Sequence, residues 1–437
     1  MFHFRQHSSN SRQELCLASL LALALSCAIS CGDDPLPQLD LETKLSPITK
    51  PSIALPPKGN APGHWSKSQL AVAIDQDDFI VLNSAKERIE NAMSQVVINV
   101  PLIDKRTGEA CLTGMRASDA LPARTVPTVL DKLDSKGYQF EKVIVQVDLL
   151  NPERLKLYHQ CIEESGSSAA KFFLNELREE MVTAFKDLAR IDKINTIVIG
   201  MELNTYATIE DEAAVNRAWD YVNLVDLYHE LYSEIKSINT EIEVGPSISW
   251  ATLMNRSLPS IAEEFALASD SLLALELTLR RTVWPLLSLE QSPRADFIGV
   301  TLIPESAEPP YSGVPNPEGE LADKVKSYYQ ALPLIAQSPT LESPLPIALT
   351  MIDWRTSNNA NGGQKTDYLI SLKESLSVID PEWVAWRRLS NIPEDPPETS
   401  FCRAVINRGY PKDFCYAGIV DYLGEPRSVW EVLTATE

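Results

Sequence analysis

The 437-residue chain is 44% hydrophobic, which is enough for one large core or two medium ones. Its 60 acidic and 39 basic residues give a formal net charge of −21, and the basic residues are scattered. This pattern excludes the basic surface of a nucleic-acid-binding protein and favours a soluble protein that repels anionic partners.

The N-terminus has the pattern of an export signal. Basic residues precede the apolar run 15–31, which is too short to span a membrane and is typical of a signal peptide. Small residues lead into Cys31, as in a bacterial lipobox, and Cys27 is a competing site. We therefore expect residues 1–31 to be a lipoprotein signal with lipidated Cys31; an ordinary signal peptide is the alternative. Gly32 after the cysteine favours the outer membrane or cell surface of a bacterial envelope.

The next segment predicts a tether. Residues 32–64 hold seven prolines among polar residues and have no apolar periodicity, which is typical of a disordered linker. No second linker follows, so residues 65–437 are expected to form a single domain, and the protein is expected to be a monomer.

Within that domain, short apolar strands alternate with longer amphipathic helices. Helices are predicted at 172–191, 211–239 and 365–379, and the middle one carries an apolar stripe that includes Val222, Tyr228, Leu231 and Ile235. Eight strands are predicted, at 69–74, 95–100, 142–147, 196–200, 241–245, 296–302, 346–351 and 383–389. The alternation predicts a parallel sheet and an α/β fold, the (β/α)8 TIM barrel, with a doubly wound open sheet as the alternative.

Cysteine and histidine usage argues against a metal or a cofactor. Four cysteines follow Cys31, an even number that suggests two disulfides in an oxidising compartment. Cys402 and Cys415 flank a short loop and are the expected pair, and Cys111–Cys161 then follows by elimination. No metal-ligand spacing and no glycine-rich phosphate loop is found.

In a barrel, chemistry takes place where the strands end. The residues expected there are mostly acidic or aromatic: Asp75, Asp148, Glu202, Trp250, Glu305, Asp353 and Trp386. Carboxylates carry out glycosidic chemistry and aromatic rings stack on sugars, so this composition predicts a carbohydrate cleft. Asp148 and Glu305 are also candidates for a wider, inverting arrangement of carboxylates.

Several segments resemble the clan of retaining glycoside hydrolases with (β/α)8 barrels, which includes endo-galactanases and cellulases. They are GMELN (200–204), ADFIGVTLIP (295–304), PIALTMIDWRTS (346–357) and EWVAWRRLSN (382–391). The resemblance implies that Glu202 is the general acid/base and that Trp386 stacks on the sugar. It also implies that Asn204 lies in the sugar site.

Two positions depart from the clan pattern. Met351 stands at the place of the nucleophile, and Met201 stands at the place of the asparagine that contacts the sugar 2-hydroxyl. A thioether cannot form the glycosyl ester intermediate that retention requires. Asp353 is a possible replacement nucleophile, because it lies two residues beyond Met351 on the same strand.

The prediction is therefore an envelope lipoprotein that acts on or binds an oligo- or polysaccharide, with impaired hydrolysis. An active glycosidase would need an unusual partner carboxylate or the help of an N-acetyl group of the substrate. Non-catalytic glycan binding, or a structural envelope role with a protein partner, is the alternative.

Overall fold

A computed structural model gives the fold of the chain. It describes residues 65–74, 79–102, 121–150, 175–207, 212–253, 271–289, 292–303, 329, 331–353, 362–376, 379–390, 418–421 and 425–435. The expected signal (1–31, with Cys27 and Cys31), the tether (32–64) and the four cysteines of the expected disulfides lie outside these residues, as do Asp75 and Glu305.

Eight parallel strands close into a barrel, and each coincides with one of the predicted apolar runs. The strands are β1 Leu70–Ile74, β2 Gln95–Pro101, β3 Lys142–Asp148, β4 Thr196–Ile199, β5 Glu243–Ser249, β6 Ile298–Leu302, β7 Ile347–Ile352 and β8 Val384–Trp386. Each pairs with its sequence neighbours, and β8 closes the barrel on β1 through Leu70↔Val384 and Ala71↔Ala385. The predicted (β/α)8 barrel is confirmed, and the open doubly wound sheet is excluded.

Helices connect the strands on the outside. The longer ones are α1 Phe79–Ser84, α2 Lys86–Ala92, α3 Leu121–Ser135, α4 Asn175–Ala189, α5 Glu212–Ile238, α6 Ser271–Thr282, α7 Gly362–Ser375 and α8 Ser428–Thr434. Single turns lie at Trp250–Thr252 and Trp284–Leu287, and 3-10 turns at Leu203–Ala207 and Leu332–Ala336. Two pairs of short strands complete the described elements. Ser288–Leu289 pairs with Ser292–Pro293, and Arg388–Ser390 pairs with Gly418–Val420.

Alternation along the strands divides the core into two layers. One face of each strand packs against the helices in a large outer cluster, and the other face fills the barrel interior. The interior cluster consists of Ala71, Ala73, Val97, Ile144, Val198, Phe297, Ala348, Trp383 and Ala385. The large ring of Phe297 occupies the space that a side chain on Gly245 would need, so a small residue on β5 accommodates an aromatic one beside β6.

Helix α5 shows one error in the predicted stripe. Tyr228, Leu231 and Ile235 are fully buried, as predicted, but Val222 is 58% exposed. The buried register runs instead through Leu224 and Leu227, one turn before Tyr228 and Leu231. In the last turn of the helix, Lys236 Nζ donates to the carbonyls of Thr240 and Ile242, at 3.2 and 2.8 Å. These bonds tie the end of the helix to the loop that leads into β5.

None of the helices described is long and apolar enough to cross a membrane.

Candidate functional site

A sharp turn at the end of β4 presents Glu202 at the mouth of the barrel. Gly200 has a φ of 77° and the Leu203 side chain occupies the place where its Cβ would be. Glu202 itself has a φ of 52°, and among the described residues it is the only one besides glycine with a positive φ. A left-handed conformation costs an ordinary residue about 1–2 kcal/mol. The turn therefore holds a partly exposed carboxylate in a strained position, where the clan resemblance expects the acid/base.

Asn204 serves the barrel rather than the cleft. Its Nδ2 donates to the Ser249 carbonyl at 3.0 Å, and its Oδ1 accepts from the Ser249 N–H at 2.7 Å. The side chain is 1% exposed, and both ends of its amide are paired. This double bond ties the turn after β4 to the end of β5, so the position of Glu202 is fixed by its neighbour two residues on. The expectation that Asn204 contacts sugar is replaced by a structural role.

The two methionines that depart from the clan pattern belong to one apolar cluster. Met201, Ile303 and Met351 form a separate apolar cluster, and each is 6–7% exposed. Met201 lies just after β4, Ile303 just after β6 and Met351 near the end of β7, so the three converge on one side of the mouth. A register shift between Val300 and Thr301 pairs Thr301 with Met351. Thioether and alkyl groups offer no hydrogen bonds of ordinary strength and no nucleophile to a substrate.

Asp353 is held in a buried ionic network just beyond β7. Lys365 Nζ lies 2.9 Å from its Oδ1, and Arg387 Nη1 lies 3.4 Å from its Oδ2. Asp353 and Lys365 are 0% and 1% exposed. Burial lowers the pKa of Lys365, and the attraction of the Asp353 carboxylate opposes that shift. Both carboxylate oxygens are engaged by cations, so Asp353 is not available as the replacement nucleophile expected from the sequence.

Trp386 is placed differently from the expectation. It is 1% exposed and belongs to the outer core between barrel and helices, with Lys365 Nζ 5.7 Å from its ring centroid. A register shift between Val384 and Trp386 accompanies this placement. Its ring therefore packs inside the protein and does not form an exposed platform for a sugar. Trp250 is equally buried and directly follows β5.

The strands on the opposite side of the mouth carry polar residues. Asp148, at the end of β3, is 8% exposed and its Oδ1 accepts from the Leu150 N–H at 3.2 Å. Two residues earlier, Gln146 is fully buried, and neither end of its amide has a hydrogen bond to any residue that the structure describes. Asn99 on β2 is in register with Gln146, and its buried Oδ1 likewise has no partner among those residues. Glutamine in an apolar strand is the only sequence signal that marks this pair.

The sequence missed Lys365 and Arg387 as partners of Asp353. Lys365 lies twelve residues further along the chain on α7, and Arg387 follows β8. Their meeting depends on where the start of α7 lies relative to the ends of β7 and β8, which no local pattern indicates. In the part of the chain that the structure describes, no group of three or more His, Cys, Asp and Glu side chains is arranged to hold a metal ion.

Comparison with known proteins gives structural likeness only. No family model and no curated protein matches the sequence. An exo-beta-1,4-mannosidase from Opitutaceae bacterium strain TAV5 matches with a TM-score of 0.53 and 12% identity, over 86% of this chain and 61% of the mannosidase. A GH5_18 protein from Streptomyces cattleya matches in two structures. Its complex with Manb1-4GlcNAc has a TM-score of 0.54 and 9% identity, over 84% of this chain and 79% of that one. Its complex with GlcNAc has a TM-score of 0.52 and 10% identity, over 85% and 80%.

At such low identity the likeness is one of fold. The neighbours are glycoside hydrolases of clan A with an eight-stranded parallel barrel, and this chain also closes an eight-stranded parallel barrel. The chain therefore has the fold of the clan that its sequence motifs resemble.

Proposed function

We propose that the protein is a cell-envelope lipoprotein, anchored through Cys31, whose barrel mouth binds an oligo- or polysaccharide and in which hydrolysis through two carboxylates is impaired. The fold of glycoside hydrolases supports a carbohydrate-related role. The observation that carries the proposal is the apolar cluster of Met201, Ile303 and Met351 at the mouth. It lies where the resemblance places the nucleophile and a sugar-binding amide.

The chemistry of retention explains why this cluster matters. A retaining glycosidase needs two carboxyl groups about 5–5.5 Å apart, one as nucleophile and one as acid/base. Glu202 supplies at most one of them. The nearest acidic residue along β7, Asp353, is engaged by Lys365 and Arg387. An apolar patch beside a carboxylate instead suits binding, because a sugar ring presents both an apolar face and hydroxyl groups.

Glu202 is proposed to be a ligand-binding residue. Its left-handed backbone costs folding free energy that a glycine at the same place would not. Strain of this kind clusters at functional sites. A carboxylate so placed accepts hydrogen bonds from sugar hydroxyl groups, and with a partly exposed side chain it does so at low desolvation cost.

The neighbours suggest which sugars to try first. One is a β-1,4-mannosidase and another was solved with Manb1-4GlcNAc. We propose β-1,4-linked neutral saccharides with a mannosyl unit as the first ligand class. The chain spans 61% of the length of the mannosidase.

The experiment measures binding and turnover on the same protein. The wild type is titrated by calorimetry with β-1,4-mannobiose, Manβ1-4GlcNAc, cellobiose and β-1,4-galactobiose, and hydrolysis of each is followed for days by chromatography. Glu202→Gln is the test variant. Glu241→Gln is the matched control, because Glu241 is exposed and precedes β5 at the opposite end of the barrel.

We expect binding of at least one disaccharide, weakened several-fold in Glu202→Gln and unchanged in the control, with no turnover above the uncatalysed rate. Rapid turnover that disappears in Glu202→Gln would show an active glycosidase and refute the impaired site. Absence of binding to these sugars and to a broad glycan array would refute the carbohydrate role and leave a protein partner as the alternative.

A further inference from the structure

The barrel interior carries two neighbouring amide side chains, and three of their polar atoms are buried with no hydrogen-bond partner among the described residues: Gln146 Nε2, Gln146 Oε1 and Asn99 Oδ1. We propose that Gln146 and Asn99 form a subsite that binds neighbouring hydroxyl groups of a neutral sugar, deeper in the barrel than Glu202. This inference rests on the proposed carbohydrate binding and assigns the residues that hold the innermost part of the ligand.

Strand geometry places the two side chains together inside the barrel. Val97 and Ile144 belong to the interior cluster, so the residues two positions further on, Asn99 and Gln146, face the same way. The two are registered partners across β2 and β3. Their amides are therefore neighbours on one face, about 5 Å apart at the backbone.

The subsite opens towards the mouth. Gln146 is 0% exposed, whereas Asn99 is partly exposed, so the pair lies at the boundary between the packed interior and solvent. The next residue of β3 whose side chain faces the barrel interior is Asp148, which is 8% exposed and lies about 7 Å nearer the mouth along the strand. A ligand that reaches Gln146 therefore passes Asn99 and Asp148.

Several buried side-chain atoms of the described residues lack a hydrogen bond, but Gln146 is the only side chain among them with two such atoms. Buried polar side chains are hydrogen-bonded in the large majority of cases, and an unsatisfied one costs about 1–3 kcal/mol. The interior hydroxyls on the other side of the barrel obey the rule: Ser247 Oγ lies 2.8 Å from Thr350 Oγ1 and 3.4 Å from Thr301 Oγ1. Gln146 Nε2, Gln146 Oε1 and Asn99 Oδ1 have no such partner within the part of the chain that the structure describes.

The chemistry of the unpaired atoms selects the ligand. A carboxamide presents one acceptor oxygen and an NH2 donor group, and a pair of adjacent hydroxyl groups can satisfy both at once. Neutral amides give no charge to balance a phosphate or a metal ion. The carboxylate of Asp148, close above the pair, disfavours an anionic sugar such as a uronate.

Asn204 provides the matched control, because it is also a buried amide near the mouth but has both ends paired with Ser249. Gln146→Met keeps the side-chain length and removes the unpaired groups. If Gln146 is reserved for a ligand, this variant raises the Tm of the free protein by about 2 °C or more, whereas Asn204→Leu lowers it. A Gln146→Met variant that unfolds more easily than the wild type would overturn the proposal, because it would show that the amide supports the free fold.

Binding gives the second measurement. Calorimetry with β-1,4-mannobiose and Manβ1-4GlcNAc is repeated on Gln146→Met and on Asn99→Leu, which alters a partly exposed residue and so perturbs the core less. We expect the affinity for the neutral disaccharide to fall by about tenfold or more in each, and no binding of a β-1,4-linked diuronate by the wild type.

Three further results would contradict the subsite, and the first of them separates it from the proposed function. If the wild type binds a disaccharide and both variants bind it equally well, the carbohydrate role stands and the subsite is wrong. A crystal structure of the complex with only water on Gln146 would have the same meaning, as would tight binding of the diuronate. If the wild type binds none of the sugars, the proposed function itself fails.

Discussion

Replacing Asp353 with Asn tests whether this residue holds the fold or acts in catalysis. The change removes the negative charge but keeps the shape, so Lys365 and Arg387 lose their ion pairs with this carboxylate. Asp353 is 0% exposed, and the side chains of Lys365 and Arg387 are 1% and 9% exposed, so water cannot easily replace the lost partner.

The magnitude follows from this burial. Breaking a buried ion pair by removing one partner costs about 3–5 kcal/mol, because the remaining charge is left uncompensated. The contact to Lys365, at 2.9 Å, is the shorter of the two and carries most of the effect. We expect Asp353→Asn to lose about 3–5 kcal/mol, and Asp353→Asn with Lys365→Met to lose less than the sum of the two single changes by about 2–3 kcal/mol.

The assay is urea unfolding followed by circular dichroism, at pH 7 and pH 9. Burial already lowers the pKa of Lys365, and loss of Asp353 removes the main group that opposes this shift. The folded state then binds fewer protons than the unfolded state between the folded pKa and the unfolded value of about 10.4, so stability rises with pH across that window. The deficit of Asp353→Asn should therefore be smaller at pH 9 than at pH 7. The double variant, which lacks Lys365, should not show this change.

One result would refute the reasoning. If Asp353→Asn unfolds within about 1 kcal/mol of the wild type and abolishes a measurable hydrolysis, Asp353 is a catalytic group and its ion pairs contribute little to the fold. Stability that is equal at both pH values in Asp353→Asn would refute the assigned role of Lys365.

Three further changes test the mouth and the outer core. Glu202→Asn should be more stable than Glu202→Gln by about 0.5–1 kcal/mol in urea unfolding. Both variants remove the charge, but only asparagine readily adopts a φ of 52°. Equal stability of the two variants would contradict strain at this position. Met351→Glu should lose about 2–4 kcal/mol at pH 7 and should not create turnover. The loss should be smaller at pH 5, because burial raises the pKa of the introduced carboxyl and favours its neutral form. Met351→Leu should lose under about 1.5 kcal/mol, and a fully stable glutamate variant would mean that the cluster is open to water. Burial lowers the pKa of His229, whose Nε2 lies 2.8 Å from the Pro285 carbonyl, so the wild type should lose stability as the pH falls from about 6.5 towards that lower pKa. In His229→Gln the melting temperature should fall less between pH 7 and pH 5, and an unchanged slope would refute the assignment.

The barrel was predictable because its signal is repeated. Eight runs rich in Val and Ile each lie between helical segments, and the observed strands coincide with them to within a few residues. The boundaries shifted most at β5, which was predicted at 241–245 and extends over Glu243–Ser249. Pro246 lies within that strand, and its place there depends on pairing with Ile199 rather than on local propensity.

The direction of single side chains near the strand ends was less predictable. Alternation holds only while the register is regular, and irregularities occur in β7 and β8 at Thr301–Met351 and at Val384–Trp386. A bulge of one residue turns a side chain to the other face of the sheet. The aromatic composition at the end of β8 therefore suggested a platform for a sugar, while the closed barrel places Trp386 in the outer core.

Polar partners across long chain separations were not predictable at all. A sequence shows that Asp353 and Lys365 are charged, but only the path of α7 brings them to 2.9 Å. The same limit applies to Gln146, because the absence of a hydrogen bond depends on every residue that surrounds it. Local patterns determine elements and faces, whereas the satisfaction of a buried polar group is a property of the complete fold.

That property separates the polar residues of the mouth into two kinds. Asn204 and Asp353 have both ends of their side chains engaged by protein groups, so the fold itself accounts for them. Gln146 has no hydrogen-bond partner among the described residues and Glu202 is strained, and each therefore lowers the stability of the free protein by about 1–3 kcal/mol. A barrel that needed these two positions only for stability would gain by replacing them with methionine and glycine. Their presence is explained if a ligand supplies hydrogen bonds at Gln146 and uses the carboxylate that the strained turn presents. Replacing Gln146 with methionine or Glu202 with glycine should therefore raise the stability of the free protein and lower its affinity for sugar.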